Sequence, residues 1–384
     1  RKESSAASDV YKRQGFGNGL KNQFQEFFLD DATNTITLFA GKTSMPYQGF
    51  KSNRRIEFDN SDLADIKENF PFFLEYITPR ISRSASVKYK NEFDNYSTRG
   101  VGPAHQFAEK TIMMKGRYIN EKDIENKTKY AVIGRLVAQD LFNQGDALGQ
   151  FIEIGNSVFK VIGIFQDDGG DREERYIYIP YTTRQLLEKS NDKVDQIVLA
   201  FKPQLGHSGS LVFERKLREF LKKKKSIAPK DPNGIFFRNR ADILKQNQQF
   251  ANVLQLIVTF VGLGTLIAGI IGISNIMVFV VKERTKELGI RKALGATPKS
   301  VIQMILQESV FITTISGYVG LFIGIFVLKS IGVSLQDYFI KDPYIDTTTA
   351  LFATIILILF GGIAGYIPAK RAARIKPIVA LRDE

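Results

Sequence analysis

Hydrophobic and polar positions are distributed very unevenly along this chain. In its last third, charged residues withdraw from three stretches, 254–281, 309–328 and 347–369. Each exceeds the roughly 18 apolar residues that a spanning helix needs. As a helix the first reaches about 42 Å at 1.5 Å per residue, beyond a hydrocarbon core of about 30 Å. The pattern predicts three membrane spans, at about 254–281, 305–330 and 347–368. Glycine recurs in all three, at Gly262, Gly269 and Gly272, and as the pairs Gly320/Gly324 and Gly361/Gly365. Glycine at every fourth position lets helices approach closely. The spans are therefore expected to pack on each other or on a second subunit.

Before residue 250 the pattern breaks into short alternating runs. Strands are predicted at 35–40, 130–133, 151–154, 159–165, 176–180 and 196–201. Helices are predicted at 61–69, with Ser61 as N-cap, and at 136–142 and 211–225. Gly155-Asn156 lies between two of the strands and predicts a hairpin turn. The mixture predicts an α+β domain over 15–250, an α/β part with a β-rich insert at about 110–180. An all-α transmembrane domain follows at 251–384. Residues 1–14 show no apolar period and are read as a junction outside the fold.

Charge gives the spans a direction. The 384 residues carry a net charge of +13. Between the first two spans stand Lys282, Arg284, Lys286, Arg291, Lys292 and Lys299. After the third come Lys370, Arg371, Arg374, Lys376 and Arg382. The remaining loop sets Lys341 against Asp337, Asp342 and Asp346. The positive-inside rule assigns 282–300 and the C-terminal tail to the cytoplasm. The α+β domain is then external, and the topology calls for a further span ahead of Gly15, four in all. The positive excess is read as cytoplasmic loops and membrane lipid contact, with no nucleic acid partner.

Candidate chemistry is sparse. The absence of Cys rules out disulfides and thiolate metal sites. The two histidines, His105 and His207, are read as isolated surface residues, and no nucleophile–base set or metal site assembles. Asp167-Asp168-Gly169-Gly170-Asp171 lacks the later Glu of a calcium loop and reads as a solvated turn. The run Lys222 to Lys225 reads as a solvated helix end, with contact to an anionic lipid surface as the second reading. No phosphate-binding loop of the form G-x-x-x-x-G-K-[ST] is present, so ATPase chemistry is not expected within these residues. Glu308, beside the second span, is expected to cap or pair rather than catalyse.

The richest motif lies between the first two spans. It reads Glu283-Arg284-Thr285-Lys286-Glu287-Leu288-Gly289-Ile290-Arg291-Lys292-Ala293-Leu294-Gly295-Ala296. On a helix, Leu288, Ile290, Ala293 and Leu294 give a patchy apolar face, Lys286 is placed to pair with Glu283, and Gly289 and Gly295 permit close approach or a turn. The tail carries a second pattern: Pro368, Ala369, Ala372, Ala373, Pro377, Ala380, Leu381 and Arg382, with Pro368 expected to end the last span. Both patterns resemble hallmark sequences of the MacB/FtsX-type ABC transporter permeases. Asn275-Ile276-Met277 fits the same family. So do Gly116-Arg117-Tyr118, Val132-Ile133-Gly134, Leu141-Phe142, Gly149 and Val161-Ile162-Gly163 of the external domain, and 15–19.

The resemblance implies an inner-membrane, multi-pass permease with a large periplasmic domain and a cytoplasmic C-terminus, itself not an enzyme. It implies no directly bound cofactor, ATP being used by an ABC ATPase in a partner subunit or an upstream domain. It also implies a homodimer or paired permease, with a periplasmic adaptor and an outer-membrane channel as further partners. The Glu283–Ala296 stretch would contact the ATPase, and ATP hydrolysis would drive the periplasmic domain through the spans. Export or efflux is the first reading. Lipoprotein release, FtsX-like control of cell-wall hydrolases and a sensor without ATP coupling are the alternatives.

Overall fold

The computed structural model describes residues 32–143, 145–167, 171–189, 192–335 and 347–374. The 15–19 segment, the 168–170 turn, the 336–346 loop and the tail with Pro377, Ala380 and Leu381 lie outside the described residues. The chain divides into two compact units, Glu26–Asn247 and a unit containing Gln248–Glu384.

The first unit opens with β1 (Thr35–Ala40), β2 (Phe58–Asp59), α1 (Asn60–Asn69), β3 (Leu74–Tyr89), β4 (Glu92–Val101), α2 (His105–Ala108) and β5 (Ile112–Gly116). It continues with α3 (Glu121–Glu125), β6 (Tyr130–Gly134), α4 (Arg135–Phe142), β7 (Phe151–Ile154), β8 (Ser157–Gln166) and β9 (Tyr176–Pro180). It closes with α5 (Tyr181–Glu188), β10 (Lys193–Val194), β11 (Gln196–Phe201), α6 (Gly206–Lys224) and β12 (Ile235–Asn239). One mixed sheet runs β12-β1-β11-β3-β4-β9-β6-β8-β5, with β7 against β3 and β8. Pairing is parallel at β4/β9 and β6/β8 and antiparallel elsewhere along it.

Three apolar clusters build the described part of this domain, and two of them seat a long helix face on the sheet. On α6, Phe213, Leu217 and Leu221 recur every fourth residue, so they share one face. They bury it with Ile66 of α1 against Ile36, Leu38 and Leu199 of the sheet. The second cluster seats Val137 and Leu141 of α4 on Ile133, Phe159 and Ile177. Strands between 112 and 180 form one end of the sheet and join the rest through the β3/β4 hairpin. That hairpin is absent from the sequence expectation. Beyond Ile81 its first strand reads Ser-Arg-Ser-Ala-Ser, without an apolar period, and main-chain pairing holds it, in register from Arg80↔Val101 to Tyr89↔Glu92. The 155–156 turn does close β7 on β8, with Ile154 opposite Ser157 and Gly155 at φ +58.

Three local expectations change. The N-cap of α1 is Asp59, not Ser61: Asp59 accepts from the Asp62 amide, and the Asp62 carboxylate accepts from the Asp59 amide. Two reciprocal bonds outcompete a single hydroxyl cap. The lysine run is not simply solvated. Lys224 reaches Asp62 at 2.8 Å and Asp65 at 2.5 Å, and Lys225 reaches Asp62 at 2.7 Å and Asp59 at 3.1 Å. The last turn of α6 thus neutralises the acidic first turn of α1, whose Asp62 is fully buried.

The third change concerns His105, which is fully buried rather than on the surface. Its Nδ1 lies 3.0 Å from the Tyr118 hydroxyl, and its neighbour Glu109 pairs with Arg80 and, at 3.5 Å, with Arg99. Burial, helped by the Arg80 charge, holds the His105 pKa well below its usual value. For Glu109 burial alone would raise the pKa, but Arg80, His105, Arg99 and Arg240 outweigh it and hold it at about 2. His207 stays near the surface, 3.0 Å from Asp242.

The second unit holds the long helices. The first, α7 (Arg240–Glu283), starts within the first unit and has the rest of its length in the second, and it is followed by the short α8 (Thr285–Ala293), α9 (Pro298–Leu335) and α10 (Thr347–Ala373). Among the described residues three helices are long and apolar enough to cross a membrane. Gly361 and Gly365 of α10 face α9. A Cβ on Gly361 would stand 2.5 Å from Thr313 Oγ1, and one on Gly365 would stand 2.5 Å from Ser309 Oγ. Ser309 Oγ donates to the Gly361 carbonyl at 3.0 Å. This glycine pair therefore serves contact within the chain. Pro368 does not end the last span, because α10 continues through it to Ala373. Proline removes one main-chain donor, a loss that membrane helices tolerate among close neighbours. Buried Ala369 and Ala372 keep the helix packed beyond it.

Candidate functional site

The Glu283–Ala296 motif folds as a corner between α7 and α9. Arg284 is the joint: its amide still bonds the Val280 carbonyl at 3.0 Å, while the Thr285 hydroxyl donates to the Val281 and Lys282 carbonyls at 3.1 and 2.7 Å. The other end stops at Gly295, whose φ is +101, a conformation that favours glycine. Its amide bonds the Lys292 carbonyl at 3.1 Å and the Ala296 amide bonds the Arg291 carbonyl at 3.0 Å. This is the Schellman pattern of a left-handed helix stop. Thr297 then caps α9, accepting from the Ser300 amide at 3.2 Å, with Pro298 in the first turn.

One face of α8 is anchored. Leu288 is buried with Met277, Val281, Val301, Ile305, Ala369 and Ala372. Full burial of one such side chain stabilises by about 1.5–3 kcal/mol. Lys292 Nζ donates to the Ala373 carbonyl at 2.8 Å. An ammonium at the last carbonyl of α10 satisfies an orphan acceptor and the negative end of the helix dipole. Through this contact the structure brings together the two sequence patterns, the loop and the Pro368–Ala373 start of the tail.

The ion pairs differ from the sequence expectation. No Glu283–Lys286 pair forms. Arg291 meets Glu287 at 2.9 Å, one turn away, and Arg284 meets Glu308 of α9 at 3.0 Å. Glu308 therefore pairs, as its position suggested. The patchy apolar face expected of the helix divides in two. Leu288 and Gly289 turn inward, whereas Ile290, Ala293 and Leu294 are exposed, Leu294 by 84 %. Met277, Met304 and Ile305 complete the seat of the helix and were not singled out for it. Met277 stands in the Asn275-Ile276-Met277 family pattern, whereas Met304 and Ile305 are marked only by position, on the approach to the second apolar run.

Comparison with known proteins extends this reading. A model of the MacB-like periplasmic core domain matches residues 14–205, and a model of the FtsX-like permease C-terminal region matches 259–377. The macrolide export ATP-binding/permease protein MacB of Neisseria gonorrhoeae is 30% identical over 376 residues, and that of Mannheimia succiniciproducens is 27% identical over 376. Both alignments cover 96% of this chain and 55% of the relative, so the chain spans about half the length of the curated relatives it matches. The crystal structure of the periplasmic region of MacB from Actinobacillus actinomycetemcomitans covers 57% of this chain and 94% of its own, with 22% identity and a TM-score of 0.47. With one family model over half of the chain and a second over its long helices, this chain belongs to the MacB/FtsX-type family of ABC transporter permeases.

Proposed function

We propose that the chain is the membrane-spanning and periplasmic part of a MacB-like export machine. In this reading α8 transmits the motion of a cytoplasmic ABC ATPase to the spans and so to the outer domain. The observation that carries it is the division of α8. One side is locked to all three long helices, by continuity with α7, by Leu288 among residues of α9 and α10, and by Lys292 on Ala373. The remainder presents Ile290 and Leu294 to solvent. A helix held so firmly moves the spans when it is moved, and an exposed leucine at its end suits an apolar groove on a soluble partner.

In this reading α8 and the tail lie on the cytoplasmic side of a bacterial inner membrane and the α/β domain in the periplasm, a direction that the positive loops support. ATP is hydrolysed by a partner subunit or a preceding domain. A second permease copy pairs in the membrane. An open apolar hollow of about 680 Å³ along α9, floored by Ile302, Leu306, Val310 and Phe311, supports such pairing. The periplasmic domain engages an adaptor and, through it, an outer-membrane channel. The relatives' names put macrolide-type compounds first among cargoes to test.

The test replaces Leu294 or Ile290 by Asp in the full protein and measures recovery of the ATPase with the permease, and ATP-dependent export. Both are expected to fall at least tenfold, with membrane insertion unchanged. Full recovery and export in both variants would sink the docking role.

A further inference from the structure

A cavity of about 260 Å³ opens where α7, α8 and α9 meet. Ile290 and Leu294 do not line it, while Arg284, Glu287 and Arg291 of the Glu283–Ala296 stretch do. Its floor is apolar: Met277 and Val281 of α7, Leu288 of α8 and Ile305 of α9, each buried. Its mouth is charged: Arg284, Glu287, Arg291 and Glu308. The sequence fixes its depth. Val281 is the last residue of one uncharged run and Glu308 stands immediately before the next. The floor therefore lies in hydrocarbon and the mouth at headgroup level.

Protein interiors leave few voids larger than a water. A floor of methionine, valine, leucine and isoleucine offers water no hydrogen bonds. At this depth a lipid matches both the apolar floor and the charged mouth. The mouth then selects the headgroup. It holds two cations and two anions, paired as Arg284–Glu308 at 3.0 Å and Arg291–Glu287 at 2.9 Å. A purely anionic headgroup would satisfy the guanidinium groups and oppose the carboxylates. A headgroup with one phosphate and one primary ammonium matches both signs, and the ammonium supplies three donors to the carboxylates. The volume lies just below the roughly 300–1,000 Å³ of pockets that take whole drug-sized ligands. It suits a headgroup with its acyl chains left in the bilayer.

We propose that this cavity is a binding site for an ethanolamine-type aminophospholipid. Its phosphate lies at Arg284 and Arg291, its ammonium at Glu287 and Glu308, and its glycerol over Met277 and Ile305. The assignment needs only the membrane location of α7 and α9 and stands whether or not an ATPase docks on α8.

The test uses the full protein in nanodiscs of equal phosphatidylethanolamine and phosphatidylglycerol with matched acyl chains. Lipid retained after extraction is read by native mass spectrometry. The ethanolamine lipid is expected at about tenfold enrichment, the ratio given by about 1.4 kcal/mol. Glu308→Gln, which keeps shape and an acceptor, is expected to abolish the preference while phospholipid is still retained. Met277→Trp, which fills the floor, is expected to abolish retention of both lipids. Equal retention of the two lipids by the unaltered protein, or an unchanged ratio in Glu308→Gln, would overturn the proposal. Free O-phosphoethanolamine at millimolar concentration is expected not to displace the lipid; displacement would make a soluble solute the ligand and overturn the lipid assignment.

Discussion

Glu109 and His105 make the α/β domain sensitive to acid from opposite directions of charge. Both have folded-state pKa values below their unfolded ones, His105 from 6.5 and Glu109 from 4.5 to about 2. A depressed folded pKa gives stability that is present above the unfolded value and lost as pH falls. His105 therefore begins to cost stability below about pH 6.5, because the unfolded chain takes up its proton first. Glu109 adds its loss between about 4.5 and 2. Each contributes up to about 1.4 kcal/mol per pH unit within its window. Denaturation of the full protein followed from pH 7.5 to 4.5 is expected to show this slope, and His105→Gln is expected to flatten it. A second residue-scale prediction concerns Gly361. Its Cβ would meet Thr313, so Gly361→Ala should destabilise by about 1–3 kcal/mol in detergent unfolding, and Thr313→Ala should recover part of the loss. The glycine spacing was legible in the sequence. That Gly361 meets a threonine of α9 was not, because spacing names a face and not its neighbour.

At the scale of elements, helix ends carry most of the specificity. Lys292 on the Ala373 carbonyl joins two segments that are 81 residues apart. Lys292→Met should cost about 1 kcal/mol and speed hydrogen exchange in the last turn of α10, while exchange in the middle of α9 stays unchanged. Similarly, Lys225→Ala leaves the buried Asp62 with fewer partners. It should lower stability by about 1.5–3 kcal/mol, read by urea unfolding. Strand and helix existence followed well from alternation and spacing where burial was strong, as in β1, β7, β9 and β11. It failed at the β3/β4 hairpin, where residues 82–86 carry no apolar period and main-chain pairing sets the register. It also erred at Pro368, since local propensity ends a helix that packing continues.

At the scale of the whole molecule, charge and hydropathy separate two chemistries. The α/β unit keeps its ions paired around buried acids, as at Asp62 and Glu109. The long helices keep theirs at the ends of uncharged runs, where Arg284 meets Glu308. A charge moved into a run should therefore fail differently from one at its edge. Ile273→Lys, at a buried position of α7, is expected to abolish membrane accumulation of the protein, measured by fractionation and immunoblot, whereas Glu308→Gln should leave it intact. The sequence by itself determined that three stretches are apolar enough to span a bilayer, that positive charge gathers at two of their loops, and that the Glu283–Ala296 and tail patterns are those of a permease family. These are properties of composition and order, and no neighbour is needed to read them. Only the tertiary structure decided which way each side chain of that motif turns: Leu288 into the helices, Leu294 out, Lys292 onto Ala373, and Arg284 and Glu308 to the rim of one cavity. Those outcomes depend on residues distant in the chain meeting at one corner, which hydrophobic periodicity along a single helix does not specify.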